Sequence, residues 1–148
     1  MSQLEPVQIL LVEDSEADAE LTRRALDKKG LGGHVTWVKD GEEALEFLYR
    51  RGRYANTSSP APKLILLDLK MPKVSGLDVL RRVKSDAGTK AIPVVMLSSS
   101  AEESDLQESY ELGVNSYVVK PVQFDQFLAQ ISAAAFYWST INRVPRVI

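Results

Sequence analysis

The stretch Lys63-Leu64-Ile65-Leu66-Leu67-Asp68 places four consecutive apolar residues directly before an aspartate, and Pro72 breaks the extended run soon afterwards. A continuous apolar run that ends at such a breaker is typical of a strand buried on both faces of a parallel sheet. In open α/β sheets, ligands bind beyond the carboxyl ends of the strands. Asp68 stands at that end and is the candidate functional centre, although a lone aspartate there often only caps a turn.

The composition limits the classes of function. The chain has 148 residues, of which 45% are hydrophobic and 26% charged, and its net charge is −2. These values predict one ordinary globular domain with no charge-driven binding of nucleic acid or membranes. With no cysteine and a single histidine, His34, the chain offers no disulfide, thiolate metal site or multi-histidine cluster. The N-terminus lacks the features of a signal peptide, and no apolar run could span a membrane, so we expect a cytoplasmic protein.

Apolar runs of the same kind recur along the chain and alternate with patterns of helical spacing. The predicted strands cover residues 7–12, 34–38, 63–68, 92–97 and 115–119. Helices are predicted to begin near residues 15, 40, 76, 102 and 123, the last continuing to about residue 141. Because crossovers between parallel strands are right-handed, this order predicts an α/β fold with a doubly wound five-stranded parallel sheet and five helices.

Four of the five predicted strands end in, or are followed by, residues with charged or hydroxyl side chains. Glu13 and Asp14 follow the first strand, Asp68 ends the third, Ser98 follows the fourth and Lys120 follows the fifth. If these strands are neighbours, three carboxylates meet and repel one another unless a positive charge lies among them. A hard divalent cation such as Mg²⁺ suits their oxygen atoms, whereas an ammonium and a hydroxyl suit a phosphoryl group. Together they indicate phosphoryl transfer to Asp68.

Each of these residues also has a structural explanation when it is taken alone. Glu13 and Asp14 would favour the positive end of the helix that follows them. Ser98 could cap the next helix, and Lys120 could simply be solvated. Only their joint placement at strand ends favours a common site over these separate explanations.

With these motifs in hand, the sequence resembles the response-regulator receiver domains of two-component signalling. The resemblance rests on the acidic pair Glu13-Asp14, on residues 68–72 leading to Gly76, on Ser98 thirty residues after Asp68, and on Lys120-Pro121 twenty-two residues later. It covers nearly the whole chain and implies the flavodoxin-like receiver fold. Residues 1–148 would then be a single receiver domain, with a core of about 7–135 and a C-terminal helix extension and tail over 136–148.

The resemblance also implies roles for the site residues. Asp68 would be the phosphoacceptor, modified by a sensor histidine kinase. Glu13, Asp14 and Asp68, together with the backbone carbonyl of Lys70, would surround Mg²⁺. Lys70, two residues after the phosphoacceptor, stands where a side chain can admit or block attacking water, so it bears on the lifetime of the phosphoryl group.

The remaining implied roles concern the response to phosphorylation. Ser98 and Tyr117 would form the switch pair, and Lys120 would contact the phosphoryl group just before a cis Lys120-Pro121 bond. Serine replaces the commoner threonine at Ser98, which keeps the hydroxyl but loses a methyl group that packs. Switching is therefore expected to be looser than in a typical receiver.

Two features resemble a subgroup of this family, the small regulators that partner bacterial phytochrome kinases. The polar segment 51–62 is longer than in a typical receiver, and the chain carries Phe136-Tyr137-Trp138 near its end. Since no effector domain follows in the sequence, the phosphorylated surface itself is expected to bind a partner.

The last helix suggests what that partner is. Phe124 and Phe127 begin a predicted core-facing stripe, Trp138 falls near the same stripe, and Phe136 and Tyr137 point away from it on opposite sides. Aromatic residues on several sides of a helix predict cover on several sides. We therefore expect a homodimer through the last strand and helices, with Phe136, Tyr137 and Trp138 in the interface. The alternative is that the tail 143–148 folds back over these rings.

Three other functions compete with the receiver hypothesis. An aspartyl-phosphate hydrolase would carry a second acid two residues after its nucleophile, but Lys70 occupies that position. A nucleotide-binding module would place a glycine-rich loop between a strand and a helix, whereas the run 30–33 follows a helix. A degenerate receiver would lack part of the acidic site, and this chain retains it. We accordingly predict a signalling protein, not a metabolic enzyme.

Overall fold

The structure is a computed structural model that describes residues 8–58 and 61–145. Within these residues five parallel strands form one sheet: β1 (Ile9–Val12), β2 (Val35–Val38), β3 (Leu64–Asp68), β4 (Val94–Ser98) and β5 (Ser116–Val119). Their spatial order is β2-β1-β3-β4-β5. This order is that of the flavodoxin-like doubly wound sheet, so the predicted fold class is confirmed. The sheet reverses its winding between β1 and β3, where polar residues follow both strands.

Five α-helices connect or follow the strands: α1 (Glu16–Asp27), α2 (Gly41–Tyr49), α3 (Gly76–Ser85), α4 (Glu103–Glu111) and α5 (Phe124–Phe136). Ser15, Asp40 and Ser75 cap the first three, since each side chain accepts a hydrogen bond from a backbone N–H three residues later. The predicted last helix is a composite, because α5 continues directly into a π-helix, Tyr137–Ile141. Among the helices of the described ranges, none is long and apolar enough to cross a bilayer.

The central strands are buried on both faces, as their continuous apolar sequences predict. Every residue of β1, β3 and β4 is buried. One hydrophobic cluster packs α1 and α5 against one face of the sheet, and a second packs α2 and α3 against the other. Asp68 is the last residue of β3, the central strand, which is covered by helices on both faces. This packing holds the Asp68 backbone in place at the carboxyl end of the strand.

Several local predictions need correction. His34 belongs to a short 3-10 turn, Gly32–His34, because β2 begins only at Val35. The polar segment after α2 contains a further 3-10 turn, Gly52–Tyr54, which the sequence pattern did not predict. There the ring of Tyr54 packs edge-on against Phe47 with the centroids 5.1 Å apart. Residues 59 and 60 of that segment, and residue 7 of the first predicted strand, lie outside the described residues.

The last helix also differs in detail from its predicted stripe. Phe124 is 46% exposed instead of facing the core, because α5 begins at this residue and its side chain lies at the helix end. Phe127, Leu128 and Ile131 form the buried stripe as predicted. Phe136 was expected to point away from the core but packs against its edge, since α1 lies beside α5 and brings Lys29 to within 5.6 Å of the Phe136 ring centroid.

Candidate functional site

Three carboxylates meet at the carboxyl edge of the sheet. One oxygen each from Glu13, Asp14 and Asp68 lies within 4.8 Å of the others. Glu13 and Asp68 are buried, whereas Asp14 is exposed. Oxygen ligands of this charge and spacing suit a hard divalent cation that enters from the solvent side. The structure thus brings together the three acids that the strand pattern predicted to converge.

Local contacts hold the backbone of Glu13 and the backbone of Asp68 in place. The backbone N–H of Glu13 donates to the carbonyl of Val38, 3.1 Å away, and the Glu13 carbonyl accepts from the indole N–H of Trp37 at 2.8 Å. On the other side, a Cβ atom added to Gly76 would collide with the carbonyl oxygen of Asp68. Gly76 is therefore required for α3 to begin so close to the end of β3.

Lys120 joins the acids from the end of β5. Its ammonium lies 2.8 Å from Glu13 Oε1, 2.9 Å from Asp18 Oδ2 and 3.7 Å from Asp68 Oδ1. Burial alone would lower the pKa of Lys120, but the hydrogen bonds to Glu13 and Asp18 raise that pKa above its ordinary value. Lys120 is therefore a permanent positive charge beside Asp68.

Asp68 is held in an environment that disfavours its charge. Burial, and then repulsion by Glu13, raise the pKa of Asp68 from 3.8 to about 7, although Lys120 acts in the opposite direction. The single positive charge of Lys120 therefore does not compensate the negative charges of the three carboxylates. A divalent cation would supply the missing charge, so the donor set fits the predicted metal.

Ser98 and Tyr117 are connected through the loop that follows β4. The hydroxyl of Ser98 accepts from the backbone N–H of Ser100 at 3.0 Å, and the hydroxyl of Tyr117 donates to the Ser100 carbonyl at 2.9 Å. The backbone N–H of Lys120 donates to the Ser98 carbonyl at 2.7 Å. A movement of Ser98 would therefore be passed to Tyr117 and to β5 through this loop.

Two further predictions concern the loops around the site. Lys70 is exposed and, with Asp14, Met71 and Asp105, lines an open groove of about 490 Å³. No contact of its backbone carbonyl with the acids is described, so its role as a metal ligand stays a prediction. The Lys120–Pro121 peptide was expected to be cis, but the described residues contain no cis peptide bond, and this expectation is wrong for the present structure.

Sequence reasoning missed two residues that contact the site. Asp18 lies in the helix that was predicted to begin near residue 15 and was given no role in the site, yet it is one of the three acids around Lys120. Trp37 was assigned only to β2, although its indole secures the Glu13 carbonyl. For Asp18, the spacing of one helical turn after the acidic pair was an available signal, because such a residue points back towards the end of the strand.

The three predicted interface residues lie in different surroundings. Tyr137 is 46% exposed. Phe136 and Trp138 are partly buried against the core on the α1–α5 side, and the indole N–H of Trp138 donates to the Ser116 hydroxyl at 2.7 Å. Their participation in a dimer stays a prediction.

Comparisons with known proteins agree with this geometry. The family model for the response regulator receiver domain matches residues 9–132. Response regulator Rcp1 of a Synechocystis species is 40% identical over 95% of this chain and 94% of its own. The Mn²⁺-bound structure of Rcp1 aligns with a TM-score of 0.86, at 38% identity over 95% of this chain and all (100%) of that one.

Two further solved structures are similar. The phosphorylated cyanobacterial phytochrome response regulator RcpA aligns with a TM-score of 0.87, at 41% identity over 95% of this chain and 99% of that one. The bacteriophytochrome response regulator AtBRR is 52% identical, with a TM-score of 0.73 over 88% of this chain and 94% of that one. Since the family model matches most of the chain and these relatives align along nearly all of it, the protein belongs to the response regulator receiver domain family.

Proposed function

We propose that this response regulator accepts a phosphoryl group from a sensor histidine kinase on Asp68, with Mg²⁺, and thereby switches a protein-binding surface. The observation that carries the proposal is the setting of Asp68. Its buried carboxylate lies at the end of β3, within 4.8 Å of the oxygens of Glu13 and Asp14 and 3.7 Å from the ammonium of Lys120. A nucleophile, an acidic cation site and a phosphate-binding charge are thus present in one place.

The reaction follows from these groups. An Asp68 carboxylate oxygen attacks the phosphorus of a phosphohistidine, a P–O bond forms, and the P–N bond breaks with its electron pair leaving on the imidazole. Glu13, Asp14, Asp68 and the carbonyl of Lys70 would hold Mg²⁺, which would supply positive charge to the transferred group. Because no other catalytic group is needed, the chain modifies and demodifies itself and is not a metabolic enzyme.

Lys120 and Ser98 then hold the product. An aspartyl phosphate carries more negative charge than the carboxylate it replaces, so the ammonium of Lys120 is drawn towards it. When the Ser98 side chain rotates to donate its hydroxyl hydrogen to a phosphoryl oxygen, its Oγ moves away from the backbone N–H of Ser100 and that hydrogen bond breaks. Since Tyr117 is bonded to the same loop at the Ser100 carbonyl, the aromatic ring moves with it.

The surface that responds is apolar. Among the described residues, the exposed large apolar side chains all lie from residue 110 onwards: Tyr110, Val119, Val122, Phe124, Tyr137, Ile141 and Val144. β5 is one of the two edge strands of the sheet, and Val119 is exposed on it. This distribution supports a homodimer through the last strand and helices, in which Tyr137 provides the exposed member of the predicted aromatic set. The proposed partners of this surface are proteins, and neither a nucleic acid nor a membrane is proposed as a partner.

The kinase partner is proposed from the relatives. RcpA is described as a phytochrome response regulator and AtBRR as a bacteriophytochrome response regulator. We propose that a bacterial phytochrome histidine kinase phosphorylates this chain as well. A purified phytochrome kinase should transfer its labelled phosphoryl group to the wild type but not to Asp68→Asn, and transfer no faster than from an unrelated histidine kinase would refute this pairing.

The phosphoacceptor assignment is tested without the kinase. The protein is incubated with Mg²⁺ and a small phosphodonor, and acid-labile phosphate on the protein is quantified. Wild type and Asp125→Asn, which changes an exposed aspartate at the start of α5, should be labelled. Asp68→Asn should not be. Labelling of Asp68→Asn at the wild-type level would refute the assignment.

The dimer is tested by light scattering with and without beryllofluoride, an analogue of the phosphoryl group. We expect twice the monomer mass of 16.4 kDa for the wild type and monomers for Tyr137→Arg. A monomeric wild type at high micromolar concentration under both conditions would exclude the dimer. The rest of the tail, residues 146–148, lies outside the described residues.

A further inference from the structure

Lys120 is held chiefly by carboxylates other than the proposed phosphoacceptor. Its ammonium is 2.8 Å from Glu13 and 2.9 Å from Asp18 but 3.7 Å from Asp68. The first two distances are those of charge-assisted hydrogen bonds, whereas the third is a looser ion pair. In the unphosphorylated protein the charge that should serve the phosphoryl group is therefore engaged on the α1 side of the site.

Asp18 is fixed in the position that achieves this. Its backbone N–H donates to the hydroxyl of Ser15 at 3.2 Å, and its carbonyl accepts from the hydroxyl of Thr22 at 2.9 Å. Thr22 is fully buried in the face of α1 that packs on the sheet. The side chain of Asp18 therefore projects from a rigid first turn of α1 towards Lys120, the residue that follows β5.

Asp18 differs from Glu13 in what it would do on phosphorylation. Glu13 is 1% exposed and belongs to the acidic cluster that would hold the cation. Asp18 is outside that cluster and is partly open to water. Its carboxylate can therefore be hydrated when the ammonium leaves. The buried Glu13 carboxylate cannot be hydrated in this way, so losing the ammonium would leave it with an uncompensated desolvation penalty.

We infer that Asp18 is a positioning residue that competes with the phosphoryl group for Lys120 and so sets how strongly phosphorylation is stabilised. This inference rests on the proposed function of Asp68. With the Asp18 charge removed, the ammonium shifts towards Asp68, its next acidic neighbour. Binding of a phosphoryl analogue then no longer has to break a charge-assisted hydrogen bond between Lys120 and a carboxylate at position 18.

The matched variants are Asp18→Asn and Glu16→Gln. Both remove one negative charge from the first turn of α1, but Glu16 is exposed and has no ion pair among the described residues. The pair therefore separates a direct contact from the general field of the helix turn. Asparagine retains the shape of aspartate and an oxygen acceptor, and the backbone hydrogen bonds of Asp18 do not depend on its side chain.

Beryllofluoride affinity in the presence of Mg²⁺ is measured by tryptophan fluorescence, since the Trp37 indole contacts the Glu13 carbonyl. We expect Asp18→Asn to bind roughly three- to tenfold more tightly than wild type, and Glu16→Gln to stay within about twofold. In a Lys120→Met background, Asp18→Asn should have no further effect. Equal gains in Asp18→Asn and Glu16→Gln, or weaker binding by Asp18→Asn, would overturn the inference.

A crystal structure of unliganded Asp18→Asn supplies a second readout that does not depend on phosphorylation. The distance from Lys120 Nζ to Asp68 should fall below the present 3.7 Å, and an unchanged distance would also overturn the inference. If the wild type fails to bind beryllofluoride, the proposed function fails, and this distance still decides whether Asp18 positions Lys120.

Discussion

Two lysines are withdrawn from water at opposite ends of the sheet, and they are held by different kinds of oxygen. At the carboxyl end, Lys120 contacts carboxylates. At the amino end, the ammonium of Lys84 donates to the carbonyls of Lys90 and Ile92 and to Asn115 Oδ1, at 3.0, 2.8 and 2.9 Å. Asn115 Oδ1 also accepts from a backbone N–H at the start of β4.

The two environments shift the lysine pKa in opposite directions. Burial lowers the pKa of Lys84 to about 8, whereas the carboxylates raise that of Lys120 above its ordinary value. Neutral carbonyls satisfy the hydrogen bonds of Lys84 without offsetting its charge, so this lysine ties α3 to the starts of β4 and β5. Lys120 takes part in a balance of charges that an added phosphoryl group can change. We therefore expect the amino end of the sheet to contribute stability and the carboxyl end to carry the proposed response to phosphorylation.

Replacing each lysine by methionine tests this division most directly. Lys120→Met should weaken beryllofluoride binding in Mg²⁺ by roughly 10- to 100-fold, because the anion loses its charged partner. Metal binding should be largely retained, since the three acids remain. Lys84→Met should bind the analogue like wild type. Similar losses in both variants, measured by fluorescence titration, would remove the functional contrast.

The converse effect is expected in denaturant. Lys84→Met should lower the free energy of unfolding by about 2 kcal/mol, because two backbone carbonyls and the Asn115 side chain lose a charged hydrogen-bond donor. Lys90→Met is the control, as Lys90 is exposed and only its carbonyl contacts Lys84. Urea unfolding followed by circular dichroism measures both. A loss below about 0.5 kcal/mol in Lys84→Met would mean that this end of the sheet is not held by the lysine.

A smaller effect is expected at the acidic end. The pKa of Asp68 is raised from 3.8 to about 7 in the folded protein, so between these values the folded state binds a proton that the unfolded state lacks. Stability of the metal-free protein therefore falls as the pH rises through this window. Asp68→Asn should be more stable than wild type by about 1 kcal/mol at pH 8, with little difference at pH 4.

Urea unfolding in the presence of a chelator measures this difference, and Asp125→Asn serves as the control for losing an exposed aspartate. A metal-free Asp68→Asn that is less stable than wild type at pH 8 would show that Lys120 already compensates the acidic cluster. That result would contradict the proposed need for a cation.

The smallest effect concerns Lys84 alone. Its pKa is about 8 in the folded state and 10.5 ordinarily, so between pH 8 and 10 the folded protein releases a proton that the unfolded chain keeps. Stability should rise with pH across this window, by less than about 1 kcal/mol because water partly screens the group. The rise should be absent in Lys84→Met. An equal pH dependence in both proteins would assign it to another group.

Much of the fold could be predicted because burial leaves a local signature. The run from Leu64 to Asp68 is apolar without interruption, and every residue of it is buried. Ser15 and Asp40 cap helices as their spacing predicts. Phe124 was predicted to face the core but is exposed. Helical periodicity indicates which face of the helix a residue is on, but it does not show how far along the helix the packing against the sheet extends.

The acidic site was predictable for a different reason. Glu13 and Asp14 follow one buried strand and Asp68 ends another, and parallel strands bring their carboxyl ends to the same edge of the sheet. Asp18 lies inside α1, where no strand rule applies, and its contact with Lys120 depends on how α1 is seated on the sheet. The same holds for Lys84, whose three acceptors come from a loop and from the residue before β5.

The order of strands and helices, the burial of the central strands and the acids that follow them could all be inferred from the amino-acid pattern. They follow from hydrophobic patterning and from the two-residue and 3.6-residue repeats of strands and helices. The distances from Lys120 to Glu13, Asp18 and Asp68 could not be inferred in this way, because they depend on how the folded elements pack together. Those distances arise from the packing of α1 and β5 against the strands between them. Asp68, at the end of a fully buried strand, is thereby held within reach of a lysine that Asp18 shares.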